Sequence, residues 1–129
     1  MFFHIDPADG LAIYDQVVRQ VKFAIAGGVL QPGNLVPSVR ELARELAINP
    51  NTVARAYQKL QADGVLQSVR GMGLEVAADA VGQCRAERQK LIRARIAQAL
   101  VEARQSGLDA EELRKLVDNE LSAALNDGS

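Results

Sequence analysis

The sequence predicts a mainly α-helical chain with one small β-hairpin, and three observations carry that expectation. Apolar residues recur at helical spacing through several segments punctuated by glycine or proline. One pair of short β-prone runs, 65–69 and 74–77, flanks a glycine-rich tip, Arg70-Gly71-Met72-Gly73. Beyond about residue 79 strand signals cease and only helical patterning remains.

Length and composition narrow the class. A chain of 129 residues suits one ordinary domain, or a small domain with an appendage. A hydrophobic fraction of 48% with 24% charged residues is that of a globular protein, not a disordered one. No apolar run approaches the ~20 residues that span a bilayer, and Met1-Phe2-Phe3-His4 lacks the basic start and apolar core of a signal peptide, so no membrane partner and a cytoplasmic location are expected. Cys84 is the only cysteine and His4 the only histidine, which leaves no internal disulfide and little for a metal or cofactor to bind. There is no histidine dyad, nucleophile motif or phosphate-cradling loop, so an enzyme is not expected. The formal net charge is -1, but its distribution is uneven. Residues 34–72 hold five basic side chains against three acidic, and residues 85–95 hold five against Glu87 alone, so a positive face on a near-neutral protein is expected.

Each element follows from local signals. Phe3 and Ile5 alternate with His4 and Asp6 as a brief strand that Pro7 and Asp9-Gly10 end. Ile13, Val17, Val21, Ala24 and Ile25 mark a first helix, stopped by Gly27-Gly28. Leu30-Gln31-Pro32-Gly33 reads as a turn. Ser38 with Glu41 is a capping box that opens a second helix, whose stripe is Val39, Leu42, Ala43 and Leu46, with Arg40 and Arg44 facing away from it. Asn49 as cap and Pro50 at the first helical position restart the chain as a third helix, burying Val53, Ala56, Tyr57 and Leu60 until Asp63-Gly64. The hairpin follows. Leu91, Ile92, Ile96, Ala99, Leu100 and Ala103 pattern a fourth helix, ended by Ser106-Gly107. Asp109 with Glu112 caps a fifth, with its stripe at Leu113, Leu116, Val117, Leu121, Ala124 and Leu125.

Two short helices joined by a corner, the second opening on a polar cap, match a helix-turn-helix, and the hairpin makes it winged. The buried stripe turns Asn51, Arg55 and Gln58 outward, with Asn49 and Thr52 at the exposed end. Asn can pair with adenine and Arg with guanine, while Thr can meet a thymine methyl or a phosphate. The helix start is also expected to offer free N–H groups and partial positive charge to a phosphate. Arg70 at the wing tip reaches toward a neighbouring groove or the backbone. Double-stranded DNA is therefore the expected partner; the alternative is a helical adaptor that uses the same winged helix to bind protein.

The stretch "LQPGNLVPSVRELARELAINPNTVARAYQKLQADGVLQSVRGMGLEV" resembles the DNA-binding domain of GntR-family bacterial transcription regulators. The resemblance covers Ile13 to about Val76. It rests on a Pro-Gly turn, a Pro-Ser-x-Arg-Glu-Leu-Ala helix, a Thr-Val recognition helix and a Gly-x-Gly wing. The Asn49-Pro50-Asn51-Thr52-Val53 start, Tyr57 and a two-helix tail are similar to the YtrA-type branch, which implies control of operons encoding ABC transporters. Carried over position by position, the resemblance implies DNA contacts at Arg40, Asn49, Asn51, Thr52, Arg70 and Gly71, with Ser38 and Arg55 as additions. Val36, Leu35, Ala12 and Leu74 depart from the family's usual residues, and Leu35 removes one polar position near the backbone.

Domain organisation is read as a winged helix-turn-helix over residues 1–78 and a two-helix dimerisation tail over 79–129. Two helices cannot cover each other's stripes, so Leu91, Ile92, Ile96, Leu100, Leu113, Leu116, Val117, Leu121 and Leu125 are expected to pack across a two-fold axis as a homodimer. The basic run from Arg85 to Arg95 reads as a solvated face; the alternative is contact with the DNA backbone as the helix leaves the wing. About 50 helical residues leave little room for a closed pocket of ~300 Å³ or more, and no small-molecule effector is identified. The expected function is a homodimeric repressor acting on its own operon and on transporter genes.

Overall fold

Three helices pack through the stripes the sequence sets out. In the computed structural model, which describes residues 5, 6 and 11–127, α1 spans Ile13–Ala26, α2 Val39–Leu46 and α3 Pro50–Ala62. Val17, Val21 and Ile25 of α1 meet Leu42 and Ala43 of α2 and Val53, Ala56, Tyr57 and Leu60 of α3 in one buried cluster. Leu42 and Leu60 have no exposed surface, so truncating either to Ala costs about 2–5 kcal/mol. The α1 face is wider than expected: Tyr14, Val18, Val21 and Ile25 form an i, i+4, i+7, i+11 row beside the anticipated one. Gln16 is buried because its amide ties down the preceding segment. Its Oε1 accepts from the Asp6 N–H at 2.8 Å, and its Nε2 donates to the Asp6 and Leu11 carbonyls at 2.8 and 2.9 Å. The strand anticipated at Phe3 to Ile5 falls largely outside the described residues; Ile5 itself lies outside any strand, partly buried against the core.

The corner between α2 and α3 is built from backbone. The Ile48 N–H donates to Ala43 O at 3.0 Å and the Ala47 N–H to Arg44 O at 3.3 Å, a Schellman closure with Ala47 in the left-handed conformation at φ 55°. Asn49 then caps α3, its Oδ1 accepting from the Asn51 N–H at 2.8 Å, with Pro50 at the first position.

The wing is β1, Leu66–Val69, paired antiparallel with β2, Gly73–Val76, in the register Leu66 to Val76 and Val69 to Gly73. Gly73, expected in the tip, is the first residue of β2. Segment 33–36, which begins with the last residue of the expected turn, lines the other edge of β2. The Val36 N–H donates to Leu74 O, the Gly33 N–H to Val76 O and the Val76 N–H to Asn34 O, each at 2.9 Å.

The chain divides into two compact units, one reaching to Gln89 and one starting at Lys90. Helix α4, Ala80–Gln105, begins where the pattern changes, but its first turns belong to the first unit. The reason is chemical. Ala80 and Cys84 are buried in the core, Gln83 Nε2 donates to Asp63 O at 3.0 Å, and Arg85 Nε donates to Ala26 O at 3.1 Å. Arg85, exposed as expected of that basic run, is thus also tied to the end of α1 through one N–H. In the second unit α4 turns at Gly107, φ 96°, into α5, Ala110–Asp127, whose first turn is capped by Asp109 Oδ1 accepting from the Glu112 N–H at 2.8 Å. No described residue from 90 to 127 is buried.

Candidate nucleic-acid interface

The start of α3 presents Asn49 and Asn51 exposed and Thr52 half-buried, while Val53, Ala56, Tyr57 and Leu60 hold the opposite side in the core. Arg40 is exposed one residue into α2, and Ser38 caps that helix. Its Oγ accepts from the Glu41 N–H at 3.1 Å, and its own N–H donates to Glu41 Oε1 at 3.4 Å. Arg70 and Gly71 are exposed at the wing tip, where φ at Gly71 is 79° and the Met72 N–H donates to Val69 O at 2.9 Å. All eight side chains or backbone positions expected to meet DNA therefore fall in the first unit, on α2, α3 or the wing.

The helix start differs from expectation in one respect. Pro50 has no N–H, the Asn51 N–H is held by Asn49 Oδ1, and the Thr52 N–H donates to Asn49 O at 3.0 Å. The free backbone donors anticipated for a phosphate are thus consumed by the cap itself. An anion there meets side chains and the residual positive end of the helix.

Tyr57 links α3 to the entry of α2. Its hydroxyl donates to Pro37 O at 2.8 Å, and burial, then the charges of Glu41 and Glu45, push its pKa well above the usual tyrosine value. The apolar stripe marks Tyr57 as core, but nothing in the spacing announces this bond. At the other end of α3, Lys22 of α1 bonds Asp63 Oδ2 at 3.0 Å and Glu87 Oε2 at 2.8 Å, and Lys59 meets Asp63 Oδ1 at 3.1 Å. Burial alone would lower the Lys22 pKa; Glu87 and Asp63 outweigh it and raise it. Burial would likewise raise Asp63, and Lys22 and Lys59 bring it below the usual value. Arg55, exposed in mid-helix, lies with its guanidinium carbon 4.9 Å from the centre of the Tyr14 ring. A groove of about 780 Å³ runs between wing and α2, lined by Val29, Leu35, Pro37, Ser38, Met72 and Leu74 among others. The sequence reading missed this groove because it depends on the 33–36 segment lying along β2. Among the described residues no cluster of His, Cys, Asp or Glu could hold a metal.

The comparisons with known proteins agree with this geometry. Residues 13–76 match the model of "Bacterial regulatory proteins, gntR family". The HTH-type transcriptional repressor YtrA of Bacillus subtilis is 33% identical over 124 residues, covering 96% of this chain and 95% of that protein. A transcriptional regulator from Oenococcus oeni superposes with a TM-score of 0.71 at 32% identity, over 90% of this chain and 99% of that one. The AraR DNA-binding domain, solved in complex with operator ORX1, superposes with a TM-score of 0.52 at 28% identity, over 59% of this chain and all of that one. These relatives are transcription regulators and not enzymes. With its winged helix-turn-helix and its full-length likeness to YtrA, the chain belongs to the gntR family of bacterial regulatory proteins, DNA-binding transcription regulators, in the YtrA-type branch.

Proposed function

We propose that the protein is a homodimeric, cytoplasmic repressor that reads a two-fold operator upstream of its own operon. Asn49, Asn51 and Thr52 enter the major groove. Ser38, Arg40 and Arg55 meet the flanking backbone, and Arg70 with Gly71 extends the wing along the duplex. The observation that carries the reading is the polar, exposed start of α3 set on a buried stripe, with arginines on both neighbouring elements. The ABC-transporter genes implied by the YtrA-type resemblance are the further targets.

Dimerisation is supported by the second unit. Leu91 and Leu113 are only half-buried, and Ile92, Ile96, Leu100, Leu116, Val117, Leu121 and Leu125 are exposed, as is Val101. An open groove of about 380 Å³ between α4 and α5 is lined by Leu100, Leu113 and Val117 together with Arg104, Ala110, Arg114 and Asp118. A helix pair with no buried residue gains too little apolar burial to be stable unaided, and a second copy offers the same face in return.

Gel-shift titration of the upstream region of its own gene tests the proposal, with a scrambled duplex as competitor. The expected result is a shift that resists the competitor and is weakened by Arg40→Ala. Equal affinity for both duplexes with almost no salt dependence would instead mark a protein-binding adaptor.

A further inference from the structure

We infer that Tyr14 is a positioning residue that docks Arg55 against α1, so that Arg55 serves as a clamp on a DNA phosphate and not as a reader of base edges. The inference rests on the operator-binding reading above and assigns a division of labour within it. Asn51, Arg55 and Lys59 are successive members of one i, i+4 row, and at ~100° per residue each step rotates about 40° around α3. The row starts on the outward face at Asn51. It ends at Lys59, whose partner Asp63 also bonds Lys22 of α1 at 3.0 Å. Arg55 stands between, turned from the outward face toward α1, where Tyr14 packs against the core and offers its ring face to the guanidinium at 4.9 Å.

A guanidinium attracted to the face of a ring on α1 is drawn toward the α1–α3 seam instead of being extended straight out from α3. Base readout requires the opposite, an extended side chain leaving the helix toward the groove floor. Among the described residues no carboxylate is paired with Arg55, so its charge remains available to the duplex backbone. Tyr14 supplies the ring and the rigidity, since it is itself wedged against the buried cluster.

The test is fluorescence anisotropy of the full chain with the operator and with a scrambled duplex, across a series of salt concentrations. Arg55→Ala is expected to weaken both duplexes by the same factor, about tenfold, and to reduce the salt slope by about 0.9 per subunit. Tyr14→Phe, which keeps the ring, is expected to bind like the wild type, and Tyr14→Leu to reproduce Arg55→Ala. The double variant Tyr14→Leu with Arg55→Ala is expected to be no weaker than either alone. Thermal melting accompanies each variant; if Tyr14→Leu unfolds, the Arg55→Ala slope and the Tyr14→Phe affinity decide. A loss confined to the operator, with relaxed preference at one base pair, would show Arg55 to be a base reader and overturn the inference. Unchanged binding in Arg55→Ala, or a Tyr14→Phe as weak as Arg55→Ala, would overturn it too. A wild type that does not distinguish operator from scrambled duplex would instead overturn the regulator reading.

Discussion

Replacing Leu121 by alanine examines the tail as a dimer surface. Leu121 is 56% exposed in the single chain and sits in the α5 stripe with Leu113, Val117 and Leu125. Fully burying a leucine contributes about 1.5–3 kcal/mol, so removing most of the side chain from the exposed half forfeits about 1 kcal/mol per copy. Two-fold symmetry doubles this to about 2 kcal/mol, a rise of roughly 30-fold in the dimer dissociation constant. Asn119→Ala, on the far side of α5, is the control, and alanine favours the helix at both positions. Sedimentation equilibrium over a dilution series reads the constants, and circular dichroism checks that helix content is retained in each variant. Equal dissociation constants for Leu121→Ala and Asn119→Ala would refute the assignment of this face, and a wild type monomeric at every concentration would refute the dimer.

Three further outcomes follow from the first unit. Asn49→Asp retains an equally good cap and places negative charge at a helix start, so melting is expected to hold or rise while operator affinity falls about tenfold or more; a thermal melt beside an anisotropy titration separates the two. Lys22→Met is expected to cost about 1–2 kcal/mol at neutral pH, between the values for exposed and fully buried pairs, as measured by denaturant titration. Asp63 titrates below its ordinary value when folded, so its contribution is present above that value and fades as pH falls through the lower folded one. Lys22 titrates above its ordinary value, so its contribution is present below that value and fades as pH rises through the higher folded one. The deficit of the variant should therefore shrink at both pH extremes. Ala47 holds a left-handed conformation at φ 55°. Ala47→Gly relieves it, and after the entropy cost of glycine about 0.5 kcal/mol of added stability is expected in the same titration, with operator affinity unchanged.

Helix starts and stops were legible because capping is local: Ser38 with Glu41, Asn49 with Pro50, and Asp109 with Glu112 each carry their signal within a single helical turn. The exposed start of α3 was legible for the same reason, since a stripe of Val53, Tyr57 and Leu60 fixes what lies opposite. What escaped depends on residues far apart in sequence. The pairing of segment 33–36 with β2 joins distant positions through backbone groups that any sequence has. The bond from Tyr57 to Pro37 and the stacking of Arg55 on Tyr14 need the helices already packed. The extent of the first unit escaped because Ala80 and Cys84 are too small to announce a buried face, so the pattern marked the start of α4 and not the end of the packing. Tyr14 did carry a signal, the row it shares with Val18, Val21 and Ile25, hidden by the parallel row beginning at Ile13.

The arrangement of charge explains how a unit with no net charge can face DNA. The first unit holds nine basic and nine acidic residues up to Gln89. Two of the acids, Asp63 and Glu87, are paired with Lys22 and Lys59 at the C-terminal end of α3. That end lies about 20 Å from Asn49 along a 13-residue helix. On α2, at ~100° per residue, Arg40 and Arg44 occupy one flank of the exposed side and Glu41 and Glu45 the other. The charge of the two glutamates is felt at Tyr57, toward the core of the corner. Arg40, Arg55 and Arg70 are left exposed, on α2, on α3 and at the wing tip. Between such groups and a phosphate the interaction is governed by separations of a few ångströms, whereas acids beyond the ~8 Å screening length at physiological salt contribute little. Net charge therefore has little bearing on whether this surface attracts a duplex; the pairing of acids with lysines at the far end of α3 and the separation of arginines from glutamates on opposite flanks of α2 do.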